Sequence, residues 1–249
     1  MKLDFTDIIN KAEGKVGICV ATGASLKPHL ENIIELSNSN EYCVVSVNDF
    51  DTMFPKLNTD YRVVANSEFS VRVEHPRFNA RPETPLIFAN SVDTTPKDEV
   101  SSLLTVDYLP YDQRHQNGEH CTWGSGIDGR APCCNLIEDK RLTIQEELKK
   151  YCKTDLSYSG GDTVALHMLT MAILLGCNPI FISGVDLDYS KGYVDGTNAN
   201  GAGFIEFLDR IIDHFDIIKK SADNIGVNIY SLCDGSPINR VFKFKKELT

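Results

Sequence analysis

Short apolar runs that end in turn-forming residues, separated by stretches of helical pattern, recur along this chain and limit what it can fold into. Val16–Ala21, Tyr42–Val47, Tyr61–Ala65, Leu86–Ala89, Pro179–Ser183 and Val227–Leu232 each read as a buried strand. Continuous apolar strands belong in a parallel sheet whose two faces are both covered by helices. The first helix is expected to start near Lys27–Pro28 and to end in the Ser37–Asn40 cluster, since proline suits a first helical turn. A short helix with Thr143 as its cap is expected over Thr143–Tyr151. Val164–Leu175 is apolar nearly all round, which marks a buried helix, and Gly176 stops it. Gly203–Ile225 is a long amphipathic helix with Phe204, Leu208, Ile211, Phe215 and Ile218 on one face.

This alternation predicts a doubly wound α/β protein with a mostly parallel sheet. The chain has 249 residues, enough for one large core, and is read as a single domain over residues 1–249. Residues 107–140 break the pattern. They hold Pro110, Pro132 and the only tryptophan, Trp123, and read as a long lid-like insertion. The tail Arg240–Lys246 alternates basic and aromatic residues. It reads as a solvated terminal strand, with contact to a membrane surface as the rival reading.

Charge removes one class of partner. The formal net charge is −10, and an acidic surface repels nucleic-acid backbones. The sequence shows neither a membrane-length apolar run nor a signal-peptide core, so a cytoplasmic location is expected, at most peripheral to a membrane. The eight cysteines are then expected as thiols, and Cys19, Cys43 and Cys177 read as small core residues.

In open α/β sheets the ligand lies beyond the carboxyl ends of the strands. Three strands end there in an asparagine: Asn48, Asn66 and Asn90. Asparagine tolerates turn geometry and carries both a donor and an acceptor. The turn Thr22–Gly23–Ala24–Ser25 lets a ligand approach the backbone closely and offers amide N–H groups, which suit a phosphate, although a plain tight turn is the alternative. It is neither a dinucleotide nor a Walker fingerprint. Gly160–Gly161–Asp162–Thr163 opens the buried helix as a second anion site or an ordinary cap. Gly184–Val185–Asp186 places an acid at a strand end. There it would hold a ribose hydroxyl, a metal or a reacting hydroxyl, or simply form a turn. Asp188, Tyr189 and Tyr193 follow closely. His115, His120, Cys121, Cys133 and Cys134 crowd the insertion, but their spacing fits no standard zinc site. His115, with Asp112 and Arg114, reads instead as part of a lid facing substrate. His167 reads as a core histidine and His214 as a rim residue of its helix.

Taken together, these pieces resemble one known group. Ala21–Leu26 resembles the G-x-G-P-S-L turn of the family 42 bacterial sialyltransferases and the related Maf and MptE-like proteins of unknown-function group 115. Val45–Asn48 and Asp60–Asn66 are similar to that group's second and third strands with their asparagines. Thr163–Val164–Ala165 through Leu175–Gly176 to Gly184–Val185–Asp186 is similar to its T-V-A…L-G…G-x-D signature. Ile229–Leu232 with Gly235–Ser236 resembles its closing strand and loop. The resemblance implies a Rossmann-like, GT-A-like fold and a nucleotide-linked donor such as CMP-sialic acid, with no metal required. It carries over Gly23, Ser25, Asn48, Asn66, Thr163, Gly184 and Asp186, and Tyr193 as a lid residue. The chain departs from the pattern in three places: Ala21–Thr22 replaces glycine–asparagine, Gly161 stands where an arginine is expected, and Tyr189–Gly203 contains no histidine.

The leading expectation is therefore a glycosyltransferase-like enzyme acting on a nucleotide-activated sugar, with a small glycan or a protein as acceptor. Catalytic candidates are Asp186, Asp188, His115 and His120. Nucleotide-contacting candidates are Gly23, Ser25, Asn48, Asn66, Asn90, Thr163, Gly184 and Tyr193. One alternative is an MptE-like, ATP-dependent pyrophosphokinase with Mg2+ held by Asp186 and Asp188. Another is a non-catalytic nucleotide-binding protein. Self-association into a homo-oligomer is left open.

Overall fold

A computed structural model describes residues 2–4, 9–47, 54–64, 86–88, 105–107, 163–197 and 208–248. The strands are β1 (Lys2–Asp4), β2 (Val16–Val20), β3 (Tyr42–Val47), β4 (Tyr61–Val64), β5 (Leu86–Phe88), β6 (Thr105–Asp107), β7 (Ile180–Ser183), β8 (Ile229–Ser231) and β9 (Lys243–Phe244). They form one sheet in the order β1-β6-β5-β4-β3-β2-β7-β8-β9. Every pairing among these strands is parallel. The doubly wound α/β expectation holds.

The α-helices are α1 (Leu30–Leu36), α2 (Val164–Leu174) and α3 (Leu208–Asn224). α2 is apolar all round because it is enclosed on two sides. It lies across β2, β3, β4 and β7 and meets α3 on its outer side. Ile211, Phe215, Ile218 and Ala222 of α3 turn inward and join that core, together with Phe242. The opposite face of the sheet carries a smaller core of Ile18, Val20, Val44 and Phe181 with Leu26 and Ile33. Period-2 alternation along each strand divides its side chains between these two layers.

Three local expectations are corrected. α1 begins at Leu30, not Pro28, because a 3-10 turn over Ala24–Leu26 comes first. Pro179, joined to Asn178 by a cis bond, precedes β7 rather than opening it. Asp107 belongs to β6, so it does not begin the irregular insertion. The basic-aromatic tail is a solvated terminal strand as expected: Lys243 and Phe244, both exposed, pair with Tyr230 and Ser231 of β8 at the sheet edge. Beyond them, Lys245 lays its ammonium 4.2 Å from the centre of the Tyr230 ring. The rest of the insertion, and the helix expected over Thr143–Tyr151, lie outside the described residues.

The strand order fixes where a ligand belongs. From β2 the chain steps outward through β3, β4 and β5 on one side. It then returns to place β7, β8 and β9 on the other. The reversal falls between β2 and β7, and crevices beyond the carboxyl ends of strands open at such a switch point.

Candidate functional site

The loops leaving β2 and β7 meet at this switch point and are stitched together. Ala21 N–H donates to Ser183 O at 2.9 Å, and Gly23 N–H to Gly184 O at 2.8 Å. Both glycines are dictated by that closeness. A Cβ on Gly184 would lie 2.0 Å from Ala21 O, and its φ of +76° is a left-handed conformation. A Cβ on Gly23 would lie 2.5 Å from Gly184 O and 2.7 Å from Asp186 Oδ2.

Asp186 closes the junction. Its Oδ2 accepts the Ser25 backbone N–H at 2.9 Å. The residue is only 5% exposed, and its Oδ1 is buried without a hydrogen-bond partner. The next residue, Leu187, has a φ of +54°. A branched side chain at positive φ costs on the order of 1–2 kcal/mol and persists only where its surroundings impose it.

Two more segments wall the crevice. Residues 188–197 cross its mouth. Asp188 Oδ1 accepts the N–H and hydroxyl of Ser190, at 3.0 and 2.6 Å. A 3-10 turn over Tyr189–Lys191 follows. Tyr193 then forms an antiparallel bridge with Gly23, and Val194 N–H donates to Thr22 O at 2.8 Å. The β8 loop closes the far side. Ser236 Oγ donates to Val185 O at 2.7 Å, and the Val185 N–H reaches Cys233 Sγ at 3.3 Å. Burial raises the Cys233 thiol's pKa, while the Ser25 hydroxyl and the Val185 N–H act against that rise.

Sequence reasoning therefore brought Gly23, Ser25, Gly184, Asp186 and Tyr193 to one place, and the structure puts them there. It misjudged what two of them present. The N–H groups of Gly23 and Ser25 are engaged within the chain, so they are not the open phosphate donors expected of the turn. A carboxylate of the protein sits there instead. Asp188 is a turn-capping aspartate. The Ser190 hydroxyl and N–H hold its pKa below the usual carboxylate range, which makes it a weaker base.

Thr163 is the cap of α2, its Oγ1 accepting from Ala165 N–H at 3.3 Å. α2 ends beside the loop before β2, where Ala12 N–H bonds Leu175 O. Its amino end therefore lies at the carboxyl side of the sheet. His167, one turn on, is a core residue as expected, and burial lowers its pKa to about 4. His214 lies within α3. Asn48, Asn66, Asn90, His115, His120 and the cysteines of the insertion lie outside the described residues.

Sequence reasoning missed Leu187, Lys191, Cys233 and the role of Ser236. Only the last had a signal: serine before proline is a helix-opening pattern, and Ser236 caps the 3-10 turn Pro237–Arg240.

Beneath the crevice, Ser46 and Ser183 both lie in register with Val20, from either side of β2. Strand alternation puts both on the α1 face. Both hydroxyls are fully buried and have no hydrogen-bond partner. Among the described residues, no group of three or more histidine, cysteine or acidic side chains is placed to hold a metal ion. No described helix is long and apolar enough to cross a membrane.

No family model matches the sequence, and no curated protein matches it. Among solved structures, the chain is similar to the sialyltransferase CstII of Campylobacter jejuni in complex with cytidine-5'-monophosphate. That match has 17% identity and a TM-score of 0.49, over 93% of this chain and 85% of the other. It is also similar to the monofunctional alpha-2,3-sialyltransferase Cst-I of the same organism, at 14% identity and a TM-score of 0.46, over 95% and 82% of the two chains.

Proposed function

We propose that this protein is a glycosyltransferase-type enzyme that takes a nucleotide-activated sugar, of the CMP-linked acidic class, and transfers the sugar to an acceptor hydroxyl. One observation carries the reading. The loops after β2, β7 and β8 are locked together at the switch point, around a buried carboxylate with one oxygen that has no hydrogen-bond partner. The first turn, the G-x-D segment and the closing loop that resemble those of the nucleotide-sugar enzymes fall on the same loops.

In such a transfer the acceptor oxygen bonds to the anomeric carbon. The carbon–oxygen bond to the phosphate breaks, and the nucleotide leaves with its electron pair. The acceptor proton passes to a base within hydrogen-bond reach. Asp186 supports this by fixing the Ser25 turn through Oδ2. Asp188 is a poor base while Ser190 holds it. His115 and His120 remain candidates for the proton transfer, and Asn48, Asn66 and Asn90 for the nucleotide. Thr163 would direct the positive end of α2 toward the leaving group. No metal is needed in this scheme.

The test is to mix the purified protein with CMP-, UDP- and GDP-sugars and follow both thermal stabilisation and nucleotide release. A ligand at a hundred times its Kd adds about 2.7 kcal/mol. Stabilisation and CMP release with a CMP-sugar are expected. Stabilisation with the sugar left intact would indicate a non-catalytic nucleotide binder. A response to ATP and Mg2+ alone would indicate phosphotransfer. No response to any of them would overturn the proposal.

A further inference from the structure

The crevice as described has a charge problem. A departing phosphate needs preorganised positive donors. The turn expected to supply them has its Gly23 and Ser25 N–H groups engaged, and a carboxylate lies against it. Asp188 and Asp234 add further acidity nearby. If the crevice takes a nucleotide, a cation facing it from another wall would offset that acidity.

Lys191 is placed to do so. Its backbone is held on both sides. Asp188 caps the turn that carries it, through Ser190. Gly192, at a φ of +69°, then turns the chain back, and Val194 is pinned to Thr22. From this anchored position the side chain leans across to the β8 loop. Its Nζ lies 3.5 Å from where a Cβ of Gly235 would stand. Gly235 has a φ of +66° and no side chain, so the ammonium lies over bare main chain. Several described cations are engaged elsewhere. Lys219, Lys220 and Arg240 pair with Asp223, Asp216 and Asp209. Lys245 lies over the Tyr230 and Phe181 rings. Lys191 belongs to none of these pairs. Asp188, its nearest acid in sequence, has Oδ1 committed to Ser190, and the Lys191 charge also helps to lower its pKa.

We propose that Lys191, held over the Gly235 main chain, is the anion-binding residue of this crevice and takes the phosphate of the nucleotide. It rests on the nucleotide reading above and adds to it the residue that recognises the charge. Lysine acts here as a point charge with rotatable donors, which suits a phosphate group that must both bind and depart.

The test separates the two ideas by using ligands with and without the phosphate. Calorimetry would measure CMP and cytidine binding to the wild type, Lys191→Met and Lys191→Arg. Lys191→Met is expected to weaken CMP about tenfold or more and to leave cytidine within about twofold. Lys191→Arg should recover most of the CMP affinity. The salt dependence of CMP binding should flatten in Lys191→Met. Equal CMP affinity in the wild type and Lys191→Met overturns the proposal while leaving the nucleotide reading standing. So does an equal loss of CMP and cytidine, which would make Lys191 a structural prop. If the wild type binds neither ligand, the nucleotide reading fails and this assignment fails with it.

Discussion

The two ends of the sheet are built to different standards. At the amino end the loops are closed and the Asn178 side-chain amide is satisfied. The Asn178 side chain donates to Gly226 O at 3.1 Å and accepts from Asn228 N–H at 3.0 Å. Cys177 packs into the space that Gly17 leaves, and its thiol hydrogen-bonds Cys43, raising the Cys43 pKa further than burial alone. Positive φ angles there fall on Gly14, Gly176, Gly226 and Asn10, residues that tolerate them. At the carboxyl end a leucine, Leu187, joins Gly184, Gly192 and Gly235 at positive φ. There too an aspartate keeps an oxygen without a partner, and two serine hydroxyls are buried unsatisfied. Strain and unmet polarity of this kind collect where a protein handles ligands. One end supports the fold, and the other is where the proposed site lies.

The contrast breaks most readily at glycine. Gly184→Ala would force a Cβ to within 2.0 Å of Ala21 O at an unfavourable φ. A loss above about 4 kcal/mol, or failure to fold, is expected. Gly226→Ala, at a φ of +78° with open space around it, should cost only about 1 kcal/mol. Urea melts of the two variants would measure the difference. Equal costs would mean that the β2–β7 junction is softer than its geometry implies.

His167 sharpens the comparison along the pH axis, because it sits where the closed core meets the crevice. Its pKa falls from 6.5 to about 4 on folding, through burial. Between those values the unfolded chain binds the extra proton and the folded one does not, so stability rises with pH across this window. Acidification from pH 7 to pH 4 should remove on the order of 3 kcal/mol through this group. Denaturant melts of wild type and His167→Asn across that range are the check. The variant should lose less on acidification, and parallel curves would assign the acid sensitivity elsewhere.

How much of this was legible in sequence follows from range. β2, β3, β4, β5, β7 and β8 were readable to within a residue or two, because a strand buried on both faces writes a continuous apolar run. β1, β6 and β9 were not, since two or three residues outside a longer apolar run carry no period. Strand-end logic also gathered Gly23, Gly184 and Asp186. Yet Asp186 reaches an amide 161 positions away in the chain. Nothing local to either residue says that the acid will occupy the turn it was expected to share with a phosphate. The hold of Ser190 on Asp188 was local, but Asp-x-Ser is too common a turn pattern to stand out.

Asp186 tests whether the crevice is braced or merely lined. Asp186→Ala would leave the Ser25 N–H without its acceptor and should cost about 1–3 kcal/mol. Asp186→Asn keeps an oxygen in place and should cost less than half as much. If Asp186 positions rather than accepts the acceptor's proton, Asp186→Asn should also retain most of its turnover with an unshifted pH profile. Collapse of turnover in Asp186→Asn at intact stability would make it the base.

The smallest effect bears on the seam beneath the crevice. Ser183 Oγ is buried without a partner, whereas Ser231 Oγ accepts the Cys233 N–H at 3.1 Å. A buried hydroxyl that makes no bond carries a desolvation cost that alanine would relieve. Ser183→Ala should therefore leave stability unchanged or raise it by up to about 1 kcal/mol, while Ser231→Ala should lower it by about 1 kcal/mol. Thermal melts of the pair decide the matter, because the two residues are alike in type and burial and differ in partner. A loss in Ser183→Ala as large as that in Ser231→Ala would show that the seam is hydrated in solution. The unmet polarity under the crevice would then belong to an ordered solvent network and not to the fold's own strain.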